Sequence, residues 1–250
     1  MKILARALPL ALLLLPLPGF AQGYTPAVTQ FTAAQRDEIV AIVRAALKSD
    51  PSILRDAVTS LQADEGLRHE AASRAAIAAT REKLAHASED PVAGNPAGDV
   101  TLIEFYDVRC PYCRRMLPVM DQLLREDHGV RLVLKDLPVL GPPSVLGAKA
   151  MLAAQRQGGY FKLQDVLMRA TGPITEDTLA TQAQMLGLDW PRMQRDMADP
   201  AIQQHIDADL ALAHTLNIQG TPALVIGDHL IPGAVEIAEL RQAIAETRAQ

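Results

Sequence analysis

The chain has 250 residues, 49% of them hydrophobic, with 24 lysines and arginines against 29 aspartates and glutamates, a formal net charge of −5. This composition is typical of a folded protein, and the mild acidity argues against a nucleic-acid partner. Two cysteines are too few for a small scaffold held together by disulfides. The length allows one good core with an appendage.

The first 21 residues have the pattern of a secretory signal peptide. Lys2 and Arg6 form a basic start, the stretch from Ala7 to Leu17 is apolar, and Gly19 and Ala21 place small residues at the cleavage positions. The stretch is short for a membrane span and contains prolines, although an uncleaved anchor is the alternative. We expect cleavage after Ala21, a mature charge of 22 − 29 = −7, and a periplasmic location.

Residues 22–90 are predicted to form an N-terminal helical extension. Thr32 and Gln35 fit a capping box at the start of one helix, and Asp50-Pro51 fits the start of a second that runs to about residue 87. The second helix has apolar side chains at spacings of four and three, at Leu54, Val58 and Leu61. The extension has too few apolar residues for its own core and too many to stand alone in water. We expect it to form a homo-oligomer; the alternative is a lid on the following domain.

A turn-rich segment, residues 88–98, contains two prolines and two glycines and predicts a domain boundary near residue 90. The apolar stretch Val100–Tyr106 predicts a strand, residues 111–125 a helix, and the alternating stretch Val130–Leu137 a second strand. A strand, a helix and a strand of the same sense imply a parallel pair with a right-handed crossover.

The rest of the chain predicts a cluster of helices over about 142–216, a strand at Ala223–Ile226, a short strand at His229–Pro232 and a closing helix from Glu236 to Arg248. The order β-α-β, helical insert, β-β-α is that of a thioredoxin fold, an α/β fold, with an inserted helical subdomain. We therefore expect three segments: the signal peptide 1–21, the helical extension 22–90 and a thioredoxin-like domain 91–250.

Both cysteines belong to the sequence Cys110-Pro-Tyr-Cys113, where the first predicted strand gives way to a helix. Helix-end N–H groups and the positive end of the helix dipole stabilise a thiolate at the first cysteine. A structural disulfide across four residues would add little stability, and zinc would need further ligands, although the sequence has no second CxxC and no H-x₃₋₅-H pair. Arg114 stands where c-type haem attachment needs histidine. The motif indicates thiol–disulfide exchange through a redox-active Cys110–Cys113 disulfide, with no other cofactor and no metal.

These motifs, with Gly220-Thr-Pro222, resemble the DsbA-like family of exported thioredoxin-fold oxidoreductases, and most of all its ScsC group, named for suppression of copper sensitivity. The resemblance covers residues 92–250 well and 32–90 loosely. It rests on residues 94–100, 104–113, 135–141 and 220–222. It implies that Cys110 is the exposed nucleophile and Cys113 the buried resolving thiol.

The same resemblance assigns substrate contacts to Pro111, Tyr112, Thr221 and Pro222, with a cis bond before Pro222. The backbone of Thr221 is expected to pair with an extended substrate segment. Within this family the strongest oxidants carry histidine between the cysteines, whereas Tyr112 supplies no cation. Thr221 before the proline resembles the exported isomerases.

Glu104, six residues before Cys110, matches the acid that the family places under the motif. A carboxylate in an apolar strand should have a raised pKa, which suits it to take the proton of Cys113. A solvent-facing Glu104 is the alternative. Lys135 is expected either to pair with Glu104 or to be an exposed strand lysine.

The resemblance favours a protein disulfide isomerase or reductase that acts on unfolded or misfolded secreted proteins. It also implies a membrane thiol-redox partner that keeps the dithiol reduced, and a trimer as the oligomer. One alternative is a DsbA-like dithiol oxidase of secreted proteins. Another is a copper-tolerance protein that binds Cu(I) through the two thiolates.

Overall fold

The computed structural model describes residues 31–85 and 89–249, so the predicted signal peptide lies outside the described residues. The chain divides into two compact units between Thr59 and Ser60. The division differs from the predicted boundary near residue 90, because Ile77 and Leu84 are buried in a core cluster with sheet residues such as Phe105. The described residues include no helix that is long and apolar enough to cross a membrane.

Two helices make up the extension, α1 (Ala33–Ser49) and α2 (Ser52–Ala85). The predicted capping box is present at the start of α1, where the hydroxyl of Thr32 accepts the N–H of Gln35 at 3.3 Å. At the start of α2 the carboxylate of Asp50 accepts the N–H of Ser52 at 3.0 Å. The helix continues through Gly66 without a break, as one long helix.

The second unit follows the predicted order of elements, and a strand that the sequence did not predict precedes them. Its elements are β1 (Val92–Gly94), β2 (Val100–Tyr106), α3 (Pro111–Glu126), β3 (Val130–Asp136), α4 (Pro142–Gln155), α5 (Tyr160–Arg169), α6 (Glu176–Met185), α7 (Trp190–Met197), α8 (Pro200–Thr215), β4 (Ala223–Ile226), β5 (His229–Pro232) and α9 (Ile237–Arg248). The strand order is β1-β3-β2-β4-β5. As predicted, β2 and β3 are parallel; the other pairs are antiparallel.

Each face of the sheet has its own buried cluster, because successive strand residues point to opposite sides. Leu102 and Tyr106 lie on the face that also holds Cys113. Ile103 and Phe105 lie on the other face, which is covered by the second half of α2 and the end of α8. The dithiol and α2 therefore meet opposite sides of the central strand β2.

Candidate active site

Cys110 is the N-cap residue of α3, and Pro111 occupies the first turn of that helix. The amide of Cys110 donates to the carbonyl of Asp107 at 2.9 Å, which closes the turn after β2. Cys113 lies within the first turn of the helix and is completely buried. Both cysteines are free thiols.

The expectation that Cys110 is exposed is wrong, since the residue is 5% exposed. Its thiol donates a hydrogen bond to the carbonyl of Thr221 at 3.2 Å. The Thr221–Pro222 peptide bond is cis, as expected. Because β4 runs antiparallel to β2, with Phe105 opposite Ala223, the loop that enters β4 arrives beside the turn that leaves β2. That pairing brings Thr221 over Cys110.

Asp107 holds the turn before Cys110 in place, a role that the sequence analysis missed. Its buried carboxylate accepts the N–H of Arg109 at 2.8 Å, the N–H of Leu140 at 3.0 Å and the hydroxyl of Ser144 at 2.8 Å. One side chain thus joins the active-site turn to the start of α4. The signal available was an aspartate directly after a strand, which favours a turn in which the side chain accepts a backbone N–H.

Glu104 is buried on the same face of the sheet as Cys113, so the solvent-facing alternative is wrong. Burial raises the pKa of Glu104 to about 8. Burial also raises the pKa of the Cys113 thiol far above its ordinary value, and the nearby Glu104 charge adds to that shift. The two residues line a common cavity of about 60 Å³. The cavity exceeds the roughly 10–15 Å³ that a water molecule requires, so a water molecule beside both groups could carry a proton from one to the other.

Lys135 does not pair with Glu104, and it is not an exposed lysine. In the parallel register Glu104 lies opposite Leu134 and Lys135 lies opposite Phe105, which puts the two charged side chains on opposite faces of the sheet. The ammonium of Lys135 instead contacts Asp90 at 2.6 Å and Asp209 at 3.2 Å. Both expectations for Lys135 are therefore wrong.

A groove of about 950 Å³ opens beside the dithiol, within the second unit. Its walls come from residues 66–74 of α2, from α3, from the loop 217–223 and from residues 228–234. Tyr112 is 53% exposed in the groove, with the guanidinium of Arg115 4.5 Å from its ring centre. Three of the predicted substrate contacts, Tyr112, Thr221 and Pro222, line this groove. Arg115 lines it as well, although no sequence motif pointed to this residue.

The thioredoxin family model matches residues 86–246, and the model described as the copper resistance protein ScsC N-terminal domain matches residues 35–66. A thioredoxin-like oxidoreductase from Silicibacter pomeroyi is 41% identical, with 68% of this chain and 98% of that chain covered at a TM-score of 0.66. A linker-deletion mutant of Proteus mirabilis ScsC is 26% identical, with 89% and 99% covered and a TM-score of 0.66.

Among curated proteins, the chain is 29% identical over 157 residues to a protein named Na⁺/H⁺ antiporter NhaA 1 of Salinispora arenicola. The match covers 62% of this chain and 24% of that protein, so the chain spans about a quarter of the length of the curated relatives it matches first. The thioredoxin match covers well over half of the chain, and the ScsC matches reach into the helical extension. The chain therefore belongs to the thioredoxin family and is an ScsC-like member of it.

Proposed function

We propose that the protein is a periplasmic disulfide isomerase or reductase that acts on unfolded or misfolded secreted proteins through Cys110 and Cys113. The proposal rests on the hydrogen bond between the Cys110 thiol and Thr221, a residue that lines an open groove of about 950 Å³. An extended polypeptide can lie in such a groove and pair with the backbone before Pro222. The predicted signal peptide supports the periplasmic location.

The reaction begins when the thiolate of Cys110 attacks one sulfur of a substrate disulfide. A Cys110–substrate disulfide forms, the substrate disulfide breaks, and the second substrate sulfur leaves as a thiolate. In isomerisation a different substrate thiolate attacks the mixed disulfide and releases Cys110 unchanged. In reduction Cys113 attacks the sulfur of Cys110, the Cys110–substrate disulfide breaks, and the first substrate sulfur leaves as a thiolate. Two electrons then pass to the substrate, and the Cys110–Cys113 disulfide remains for a membrane partner to reduce.

Glu104 is suited to accept the proton of Cys113 during reduction. A thiol attacks only as the thiolate, and burial strongly favours the protonated form of Cys113. A carboxyl group with a pKa of about 8 in the same small cavity can exchange a proton with that thiol near neutral pH. The attack of Cys110 on substrate does not need this proton transfer, so Glu104 serves the second step.

Tyr112 supports the isomerase or reductase direction over the oxidase. A strongly oxidising dithiol is one whose reduced form is specially stabilised, as in DsbA. Tyr112 brings no charge of its own between the two cysteines, and its exposed ring is stacked with Arg115. We infer a smaller stabilisation of the reduced form than a cation between the cysteines would give, and hence a less oxidising dithiol.

The test is the redox state of the Cys110–Cys113 pair in intact cells, trapped with acid and measured by thiol alkylation. The proposal predicts a mostly reduced pair, and purified protein that refolds scrambled ribonuclease. The Cys110→Ser variant serves as the inactive control. A pair found mostly as the disulfide, with rapid oxidation of reduced substrates and no isomerase activity, would overturn the proposal in favour of a dithiol oxidase.

A further inference from the structure

A buried cluster of charged side chains lies on the side of the sheet away from the dithiol. Asp90 precedes β1, and His205 and Asp209 lie one turn apart on α8. The side chains of Asp90 and Asp209 are 0% and 3% exposed, and that of His205 is 14% exposed. We propose that Asp90, His205 and Asp209 bind one Zn²⁺ ion.

The three ligand atoms lie within 4.8 Å of one another, and two of the three separations fit a tetrahedral ion. The Nε2 atom of His205 lies 3.5 Å from Oδ1 of Asp90 and 3.5 Å from Oδ2 of Asp209. Two nitrogen or oxygen ligands at about 2.0–2.2 Å from a tetrahedral zinc ion are separated by roughly 3.3–3.6 Å. Small side-chain movements would therefore bring all three atoms to bonding distance.

Lys135 takes the two carboxylate oxygens that the ion would not use. Its ammonium contacts Oδ2 of Asp90 at 2.6 Å and Oδ1 of Asp209 at 3.2 Å. The backbone N–H of Asp136 donates to Oδ2 of Asp209 at 3.1 Å, so it holds the oxygen that faces His205 in place. These contacts orient each carboxylate with its other oxygen towards His205, as outer contacts orient the ligands of known metal sites.

Two ligand atoms have no hydrogen-bond partner among the residues that the structure describes. They are the buried atoms Oδ1 of Asp90 and Nε2 of His205. A buried polar atom without a partner destabilises the folded state, so such atoms are rare without a compensating ion or water. A zinc ion would satisfy both atoms at once.

A cavity of about 610 Å³ between α2 and α8 gives the ion a way in. Asp90, His205 and Asp209 all line it, so the site is reached from solvent and has room for water as a fourth ligand. One imidazole and two carboxylates form a ligand set that zinc accepts. An ion bound here would tie α8 to the start of the sheet, and binding to the folded state alone would raise thermal stability.

The test is a Zn²⁺ titration of the full mature chain by calorimetry, in a Cys110→Ser/Cys113→Ser background so that the thiols cannot act as ligands. We expect one ion per chain and a melting temperature that rises with Zn²⁺. His205→Ala should abolish both effects, and His205→Gln should weaken binding at least tenfold. His214→Ala is the matched control, since His214 is an exposed histidine on the same helix, and it should change neither.

His205→Ala leaves the contacts of Lys135 with Asp90 and Asp209 in place, so we expect this variant to fold. Circular dichroism checks that expectation, and the less disruptive His205→Gln variant answers the question if His205→Ala is unfolded. The proposal is overturned if the parent protein takes up no stoichiometric Zn²⁺. It is also overturned if both His205 variants bind Zn²⁺ as tightly as the parent, and the cluster is then an ion-pair network only.

Discussion

The thiol of Cys110 donates its hydrogen bond to the backbone carbonyl of Thr221, 3.2 Å away. A thiolate cannot donate that bond, so ionisation of Cys110 releases the carbonyl at the edge where a substrate strand would bind. The nucleophile and the substrate contact are thus linked through one hydrogen bond.

The two cysteines should have separable roles. Cys113→Ala should accumulate mixed disulfides through Cys110, because the second thiol is no longer there to resolve them. Cys110→Ala should abolish both exchange and trapping, since the remaining thiol at position 113 is completely buried. Non-reducing gels and mass spectrometry of the trapped partners measure this. Trapped partners that persist without Cys110 would reverse the assignment.

Asp107 should position the active-site turn. Asp107→Ala leaves two backbone N–H groups and the hydroxyl of Ser144 without their acceptor, and we expect it to cost about 2–4 kcal/mol of unfolding free energy. Ser144→Ala removes one of these bonds and should cost about 1 kcal/mol. Urea unfolding gives both values.

Stability alone does not establish a positioning role for Asp107, so the alkylation rate of Cys110 is measured against pH in folded protein. We expect Asp107→Ala to change this profile, because the turn that ends at Cys110 loses its anchor, and Ser144→Ala to leave it unchanged. Identical profiles in both variants would reduce Asp107 to a purely structural role.

Glu104→Gln should make the protein more stable at neutral and alkaline pH. The pKa of Glu104 is raised by burial to about 8 from an ordinary value near 4.5. Between these values the unfolded chain loses the proton and the folded chain keeps it, so stability falls as pH rises, by at most about 1.4 kcal/mol per unit. The glutamine removes this loss. Its advantage over wild type should grow from about zero near pH 4 to a few kcal/mol near pH 8.

Asp136 and Asp209 are also buried with raised pKa values, about 8 and about 7, so the wild type alone will lose stability over much of this range. The difference between Glu104→Gln and wild type isolates the contribution of Glu104, because the other two groups are common to both proteins. A difference that stays constant from pH 4 to pH 8 would contradict the raised pKa.

The same variant should slow one step of the reaction and spare the other. Without Glu104, Cys113 loses its proton acceptor, so we expect resolution of a preformed mixed disulfide to slow at least tenfold near pH 8, where about half of the wild-type Glu104 is ionised. Alkylation of Cys110 should change little. Stopped-flow measurements with a model disulfide separate the two steps. Equal slowing of both would indicate a general disturbance of β2.

Local pattern predicted most element boundaries well. The strands at Ala223–Ile226 and His229–Pro232 have the predicted bounds, because apolar runs bounded by turn residues report on their own conformation. β1 was missed because Val92–Gly94 is three residues long, lies among prolines and glycines, and owes its conformation to pairing with β3. A strand that short carries no periodicity of its own.

Relationships between distant residues were harder to predict. The partner of Lys135 depends on strand register, and a shift of one residue moves a side chain to the other face of the sheet. Burial of Cys110 depends on the loop before β4, more than 100 residues later in the chain. The cluster of Asp90, His205 and Asp209 could not be predicted for the same reason. The four-residue spacing of His205 and Asp209 places those two on one helix face, but nothing in the sequence places Asp90 beside them.

Exposed apolar side chains in the first unit predict that the chain self-associates. Ile42 in α1 and Leu54 and Val58 in α2 are 61%, 53% and 50% exposed, and all three lie in the first unit. Apolar side chains that recur at helical spacing and are exposed to this extent favour association with other copies of the chain. We expect the mature protein to be a trimer, a number that rests on the resemblance alone, and Leu54→Asp/Val58→Asp to give a monomer by light scattering. Thr59→Asp, an exposed polar position on the same helix, is the control and should keep the trimer.

Loss of the trimer should change the activity as well as the mass. Several active sites around a shared space raise the effective concentration of thiol near a misfolded substrate, which isomerisation needs for repeated attack. Deletion of residues 22–59 tests this more cleanly than deletion to residue 88, because it spares Ile77 and Leu84 in the core of the second unit. The deleted protein should be a monomer that refolds scrambled ribonuclease poorly and oxidises dithiols faster. A monomer with full isomerase activity would show that isomerisation does not depend on assembly. A molar mass that stays unchanged in both the Leu54→Asp/Val58→Asp variant and the deleted protein would show that α1 and the first turns of α2 do not assemble the chain.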